Sequence, residues 1–322
     1  MLVVTSLEDV TADMVIAALN RRGTPVVRVD PADIDPGSGS DGAATSSELR
    51  LAARIGGDVG GAWAGVLRTS SRELNLGEVR SVYHRRPGTW RYRHLPDRIR
   101  RFAVAEARHG LAGLIAALPV LHANPPSATA HAEFKPAQLS TAADLGFTVP
   151  PTLITNDLAE ARRFVDEHAP VVYKTFRGVP HAENEAGAIW TQRVRPDELD
   201  ESIAAAPHMF QAEVQNKTDA RVTVVGDRVH ASLVRAPGAP LDWRAGDWDR
   251  LTYEPVKVPD QVRMDMYRYL NLFGLVFGCF DFAVDSRAQW HWIECNPSGQ
   301  WGFLPDSEEI AESFAVLLRA GG

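Results

Sequence analysis

The stretch GCFDFAVDSRAQWHWIECNPSGQ, residues 278–300, decides the fold. Two apolar runs, Phe277–Ala283 and Trp290–Asn296, flank a turn at Asp285–Ala288, which predicts a β-hairpin. Asp281 is the lone acid of the first run, and the second closes Ile293-Glu294-Cys295-Asn296 before Pro297 stops it. Residues two apart in a strand share a face, so Glu294 and Asn296 point the same way, with Asp281 within reach on the neighbouring strand. Three oxygen donors of this kind suit Mg²⁺, a hard cation held by a few carboxylates together with nucleotide phosphates. The plainer alternative is that each acid is buried separately and held by hydrogen bonds.

Upstream lie two lysines in positions that suit phosphate. Lys135 sits at a helix junction, and Lys174 lies in the strand Val171–Thr175. A strand-end ammonium is a compact point charge for a phosphate in a cleft, although most lysines are solvated surface residues. No Walker-type glycine loop occurs, which removes that explanation for a nucleotide site. The polar segment after Lys174, with Gly178 and Gly187, reads either as a cover over phosphates or as an ordinary hairpin loop. A strand at Met209–Gln215 that crosses a cleft can offer its backbone N–H and C=O groups to an adenine ring, with Glu213 or a following acid at the ribose hydroxyls. Strands at Ala220–Val225 and Arg228–Arg235 carry Arg221 and Arg235, which could clamp a transferring phosphoryl group bidentately. Salt bridging of Asp219 with Arg221 on a sheet surface is the competing reading.

The first thirty residues read β-α-β, with strands at Leu2–Thr5 and Val26–Val29 around a helix at Asp9–Arg21, and without the glycines of a dinucleotide fingerprint. Asp35–Ser47 is a Gly/Ser-rich loop. Leu49–Ile55 and Ala62–Arg68 flank GGDVGG, where turn chemistry explains the glycines better than phosphate binding. Further expectations are a strand at Arg80–Arg86, a long amphipathic helix at Asp97–Leu118, and a boundary at Asn124-Pro-Pro. Beyond it come a helix capped by Ser127, a second helix opened by Pro136, a strand at Thr152–Thr155 and a helix at Asn156–His168. Strands alternating with helices make the chain an α/β (α+β) protein.

With 322 residues, two to three compact units are expected. The formal charge of −7 argues against sequence-independent nucleic-acid binding, which needs a surplus of Lys and Arg. Two cysteines, Cys279 and Cys295, make no disulfide framework and suit a reducing compartment. Neither a signal peptide nor a run of roughly 18 apolar residues is present, so a cytoplasmic protein is expected, away from membranes.

The order Lys135, Lys174, Gln211-Ala-Glu-Val, Asp219-x-Arg-Val-Thr-Val-Val-Gly, Phe280-Asp-Phe and Trp292-Ile-Glu-Cys-Asn-Pro resembles the ATP-grasp superfamily over about residues 120–305. The resemblance implies an N-terminal Rossmann-like pre-ATP-grasp domain (1–122), a central lid domain (123–205) and a C-terminal catalytic domain (206–322). It implies ATP and Mg²⁺ as cofactors. Lys135 and Lys174 become phosphate ligands, Gln211, Glu213 and Val214 the adenine hinge, and Asp281, Glu294 and Asn296 the metal ligands. Arg221 and Arg235 would stabilise the transferring phosphoryl group. Glu213, where relatives often carry an aromatic residue, and Cys295, where others have Ile or Val, depart from the pattern.

A narrower likeness lies in residues 4–33, in Tyr83-His-Arg-Arg-Pro87 and in residues 135–156. These look like the ATP-grasp maturases that macrocyclise microviridin-like ribosomal peptides, their actinobacterial branch especially. That implies a precursor peptide, leader and core, as partner. Asp or Glu side chains would be joined to Ser, Thr or Lys through an acyl phosphate, with Arg85 and Arg86 receiving acidic peptide side chains; a salt-bridged strand end is the alternative. The family implies a homodimer. Two rival readings remain: a ligase for free amino acids or dipeptides, and a non-catalytic nucleotide-binding module that recruits a peptide. No residue stands out as general base.

Overall fold

The computed structural model describes residues 1–36, 47–177, 190–238 and 241–321. Gly178, Gly187 and most of the expected Gly/Ser-rich loop lie outside the described residues. The buried run Leu2–Val4 forms β1, and α1 (Val10–Arg21) starts where the Asp9 carboxylate accepts from the Ala12 amide at 3.1 Å. Next come β2 (Val27–Val29), then β3 (Arg50–Arg54), β4 (Ala64–Arg68) and β5 (Glu73–Asn75), then β6 (Ser81–His84). The segment read as one long helix is in three parts: α2 (Asp97–Ala107), a π-helical turn at Arg108–Ala112, and α3 (Gly113–Ala116). β7 (Leu121–Ala123) completes a parallel sheet of order β2-β1-β6-β7, while β3, β4 and β5 make a small antiparallel sheet that confirms the expected hairpin.

Helices α4 (Pro126–Ala132) and α5 (Lys135–Asp144) follow. Ser127 lies inside α4 instead of capping it, because Pro126, whose missing N–H costs nothing in a first turn, already begins the helix. The next elements are β8 (Thr152–Thr155), α6 (Leu158–His168), β9 (Val171–Lys174), β10 (Gln192–Val194) and β11 (His208–Ala212), which form an antiparallel sheet of order β10-β9-β11-β8. The boundary expected after residue 205 falls just before β11, whose hydrogen bonds run to β8 and β9. Likewise α4 and α5, assigned from sequence to the central unit, pack through Ala132 and Ala142 into the C-terminal core.

The C-terminal part contains β12 (Thr218–Val225), β13 (Arg228–Arg235), β14 (Thr252–Pro255), α7 (Asp260–Phe273), β15 (Phe277–Val284), β16 (Trp290–Asn296) and α8 (Ser307–Ala320). Its antiparallel sheet has order β14-β13-β12-β15-β16. α7 ends in a left-handed turn at Gly274 (φ 67°), where the Leu275 amide bonds back to the Leu270 carbonyl. Phe280, Phe282, Trp292 and Cys295 pack with α7 and α5 on one face. On the other face Val225, Phe277 and Cys279 join Val3, Tyr83, α1 and α8. Each fully buried Phe or Leu contributes about 1.5–3 kcal/mol, so the N-terminal and C-terminal units share one core.

Asn124 ties that core to the chain crossing. It is 3% exposed, and its Nδ2 donates to the carbonyls of Phe277 (2.8 Å) and Pro297 (3.0 Å) while its Oδ1 accepts from the amides of Val276 and Phe277. Every hydrogen-bonding position of the side chain is used. Asn124→Ala would strand buried partners on both sides, and a loss of about 3 kcal/mol in unfolding free energy is expected by chemical denaturation.

Candidate functional site

Three neighbouring strands carry one row of charges. Arg221 on β12 faces Asp281 on β15, which faces Glu294 on β16. A β-bulge next to this row makes it usable. Asp281 pairs with Glu294 but Phe282 pairs with Trp292, so Ile293 is the extra residue. In an unbroken strand Trp290, Trp292, Glu294 and Asn296 would all share a face. The bulge lets the two tryptophans enter the core with Phe282 while Glu294 turns to the side of Asp281. Gln138 of α5 then covers the edge of β16, its amide bonding both the N–H (3.1 Å) and the carbonyl (2.9 Å) of Cys295. That anchor holds Lys135, three residues earlier, against Glu294.

The row opens into a cleft of about 570 Å³, part of it open to solvent, between this sheet and the β8–β11 sheet. Val172, Lys174, Gln211, Glu213 and Val214 line it from one side, Asp219, Asp281 and Glu294 from the other. Leu241, Asp242 and Arg244 border it as well. The charges are paired internally. Arg221 Nη1 donates to both oxygens of Asp281 at 2.9 Å, and Arg244 holds Asp242 at 2.9 Å and Glu294 at 3.2 Å. Lys174 Nζ meets a neutral partner, Gln211 Oε1 at 2.9 Å, and Gln211 in turn donates to Thr152 at 2.9 Å.

The protonation states follow from these neighbours. Lys135, with Arg244 and Lys174, holds the Glu294 carboxyl far below the usual carboxylate range in spite of burial. Burial pushes the Lys174 ammonium down to about 8; Glu294 lifts it, while Lys135 and Arg244 lower it further. Burial would lower the Arg221 guanidinium, but Asp281 outweighs it and raises it, so the charge stays. Burial also raises the Asp219 carboxyl, against the opposing pull of Lys217 at 2.5 Å.

Not every expected residue reaches the cleft. Arg235 is more than half exposed and pairs with Glu254 of β14 at 2.9 Å. Arg85 is buried and turned inward, bonded to the carbonyls of Ser298 and Gly299, so an acidic peptide side chain has no access to it; Arg86 is exposed on the segment after β6. Strand β11 ends at Ala212, so Glu213 and Val214 follow it in irregular backbone. The Glu213 amide already donates to Pro170 at 2.9 Å, and its carboxylate pairs with Arg193. Sequence reasoning missed Arg244, Asp242 and Lys217. Arg244 lies in a short 3₁₀ turn, Trp243–Ala245, that Asp242 caps, and the signal near them is the tryptophan-rich run LDWRAGDWD, residues 241–249.

Asn296 follows Glu294 on the strand, and its Oδ1 accepts from the Ser298 amide at 3.0 Å, which leaves a lone pair. Among the described residues no three His, Cys, Asp or Glu side chains converge. Asn296 is not among the residues lining the cleft, so the lining itself supplies two carboxylates, Asp281 and Glu294, a donor set that fits Mg²⁺ shared with phosphate oxygens and suits soft metals poorly.

No protein-family model and no curated protein sequence matches the chain. Solved structures do. A RiPP-associated ATP-grasp ligase of Chryseobacterium gregarium, in complex with ADP and a leader and core peptide, superposes with a TM-score of 0.86 at 25% identity, over 100% of this chain and 96% of that one. The macrocyclase MdnC of Microcystis aeruginosa, bound with precursor peptide MdnA, gives 0.81 at 25% identity over 99% of both chains. D-cycloserine synthetase DcsG, at 0.58 and 15% identity, shares the fold alone. Fold and cleft together define an ATP-grasp ligase. Along its whole length the chain is similar to RiPP-associated ATP-grasp ligases.

The half-buried Lys174 makes a prediction independent of any ligand. Its amine binds a proton in the unfolded chain up to the ordinary lysine value of 10.5, but in the fold only below about 8. Between those values the unfolded state holds more protons, so stability rises with pH. Relative to Lys174→Met, the wild-type chain should gain about 1–3 kcal/mol from pH 8 to 10.5 in chemical denaturation, the lower end if solvent at the cleft mouth screens the charge. Parallel curves would show that the ammonium is not desolvated.

Proposed function

We propose that this chain is an ATP- and Mg²⁺-dependent ligase that activates Asp or Glu side chains of a ribosomal precursor peptide and joins them to Ser, Thr or Lys side chains, closing macrocycles. The observation that carries the reading is the cleft itself: two lysines, two arginines and the Asp281–Glu294 pair converge between two antiparallel sheets, in a chain superposable along its length on enzymes holding ADP and a leader and core peptide.

In this reading Lys135 and Lys174 hold the α- and β-phosphates, and Gln211 positions Lys174. The segment Glu213–Val214 borders the adenine, Val214 by packing and backbone and Glu213 chiefly as a brace to Arg193. Asp281, Glu294 and Asn296 would hold Mg²⁺, which supplies neutralisation of β- and γ-phosphate charge when bound. A peptide carboxylate oxygen attacks the γ-phosphorus and ADP leaves, giving an acyl phosphate. A hydroxyl or amine of the same peptide then attacks the acyl carbon, inorganic phosphate leaves, and the nucleophile's proton passes to phosphate or solvent. Phosphoryl transfer of this kind is catalysed by positioning and charge stabilisation. We assign Arg221 and Arg244 to the transferring group, with Arg244 in the place first given to Arg235.

Two buried free thiols suit a reducing compartment, and we place the protein in the cytoplasm. Among the described residues no helix is long and apolar enough to cross a membrane.

Co-expression with a short Asp/Glu- and Ser/Thr-rich precursor peptide, followed by intact-peptide mass spectrometry, tests the proposal. Loss of one water per ring is expected, abolished by Asp281→Ala or Lys174→Ala and reduced about a hundredfold in rate by Arg244→Ala, but only mildly by Arg235→Ala. An unchanged peptide alongside phosphate release with free amino acids would favour a small-molecule ligase. No ATP turnover with any carboxylate would leave a binding module.

A further inference from the structure

Arg85 has no place in the scheme above, yet it is 6% exposed and among the most fully engaged side chains of the molecule. It lies just beyond β6 in the N-terminal unit. Its Nη1 donates to the carbonyls of Ser298 (2.9 Å) and Gly299 (3.0 Å), and its Nη2 to Gln300 Oε1 (2.7 Å). Behind it stands Asp9, the cap of α1, with an ion-pair separation of 3.5 Å from Nε, too long for a good hydrogen bond. Thr11 of α1 donates to the same Gln300 Oε1 at 2.8 Å. The turn held in this way, Pro297–Gln300, directly follows Asn296. From its far side the Gln300 carbonyl accepts from Arg221 Nη2 at 2.8 Å, and Arg221 Nη1 grips Asp281.

The contacts form one chain: α1, Arg85, the 298–300 turn, Arg221, Asp281. Its tightness shows at Gly299, where an added Cβ would stand 2.5 Å from Cys279 Cβ and 3.0 Å from Arg221 Nη2. The turn cannot shift without moving Arg221. The terminal nitrogens of this buried guanidinium go to backbone carbonyls and an amide oxygen, and its Nε faces Asp9, so it fixes the backbone it holds and turns no charge toward the cleft.

We propose that Arg85 and Gln300 are positioning residues of the cleft, through which the N-terminal unit fixes Asn296, Arg221 and Asp281 for Mg²⁺ and phosphate. This rests on the cleft being a nucleotide and Mg²⁺ site. It reassigns Arg85 from the peptide-binding role read from sequence. Groups that orient metal ligands without touching the metal typically change affinity or activity 10–100-fold when removed.

The test uses the full-length protein and titration calorimetry with two separate probes, ADP over a range of Mg²⁺ concentrations and the precursor peptide. For Arg85→Met and Gln300→Ala the Mg²⁺-dependent affinity for ADP should fall at least about tenfold, with precursor affinity within about twofold of wild type and partial recovery in Arg85→Lys. Should Arg85→Met fail to fold, Gln300→Ala and Thr11→Val decide, since each removes only a contact at Gln300. Lost precursor affinity with unchanged ADP affinity would overturn the proposal and make Arg85 a peptide ligand. Unchanged affinities for both probes would overturn it as well, and equal loss of both would reduce the chain of contacts to general stability. A wild-type protein that bound no ADP with Mg²⁺ would instead refute the nucleotide reading on which the proposal stands.

Discussion

Everything in the cleft depends on one register row, Arg221, Asp281 and Glu294 facing each other across β12, β15 and β16. Side chains opposite one another in an antiparallel pair lie about 5 Å apart, so the register alone brings the three charges together. Asp281 and Glu294 are neighbours in the row, and cations flank them on either side, Arg221 on Asp281 and Lys135 with Arg244 on Glu294, which lets two acids approach in a partly dry place where a lone carboxylate would be costly. The bulge at Ile293 is the second half of the same device. It keeps Trp290 and Trp292 in the core while Glu294 faces the cleft, so packing and chemistry share one seven-residue strand.

The charges of the cleft are wired to one another. Lys135 and Arg244 neutralise Glu294, Arg221 neutralises Asp281, and Arg244 neutralises Asp242. Under the proposed function a nucleotide with its metal exchanges these partners. Lysines turn to phosphate as carboxylates turn to the cation, so little charge is ever left bare and desolvation costs stay small. Lys174 differs from the other cations in resting on a neutral amide. Its lowered proton affinity is therefore relieved when an anion enters.

The sequence was most legible where periodicity and chemistry coincide. The strand pair around Asp285–Ala288 and the positions of Asp281, Glu294 and Lys174 could be read because a lone acid or base in an apolar run is conspicuous. Strands Thr152–Thr155, Arg228–Arg235 and Trp290–Asn296 stand at the expected limits. The bulge could not be read, since nothing in Trp-Ile-Glu distinguishes a two-for-one pairing from a regular one. Arg244 was hidden because it lies in a single 3₁₀ turn, Trp243–Ala245, capped by Asp242, whose place is set by long-range packing of Trp243 on Phe303. Arg85 was read either as a peptide ligand or as a salt-bridged strand end; it does lie 3.5 Å from Asp9, but only the fold reveals the turn at 298–300 folded over it. Helices α7 and α8 were expected only in general, as helices alternating with the strands, and were given no limits although they bury much of both cores.

The most direct test of the acyl-phosphate chemistry is the fate of a carboxylate oxygen. The precursor peptide would be prepared with oxygen-18 in its Asp and Glu carboxyl groups and incubated with the protein, ATP and Mg²⁺, and the released phosphate analysed by mass. Transfer of the γ-phosphoryl group to a side-chain carboxylate requires each ring closed to deliver one labelled oxygen to inorganic phosphate. Ring closure with unlabelled phosphate would contradict an acyl phosphate, and with it the roles given to the lysines and to the Arg221–Asp281–Glu294 row.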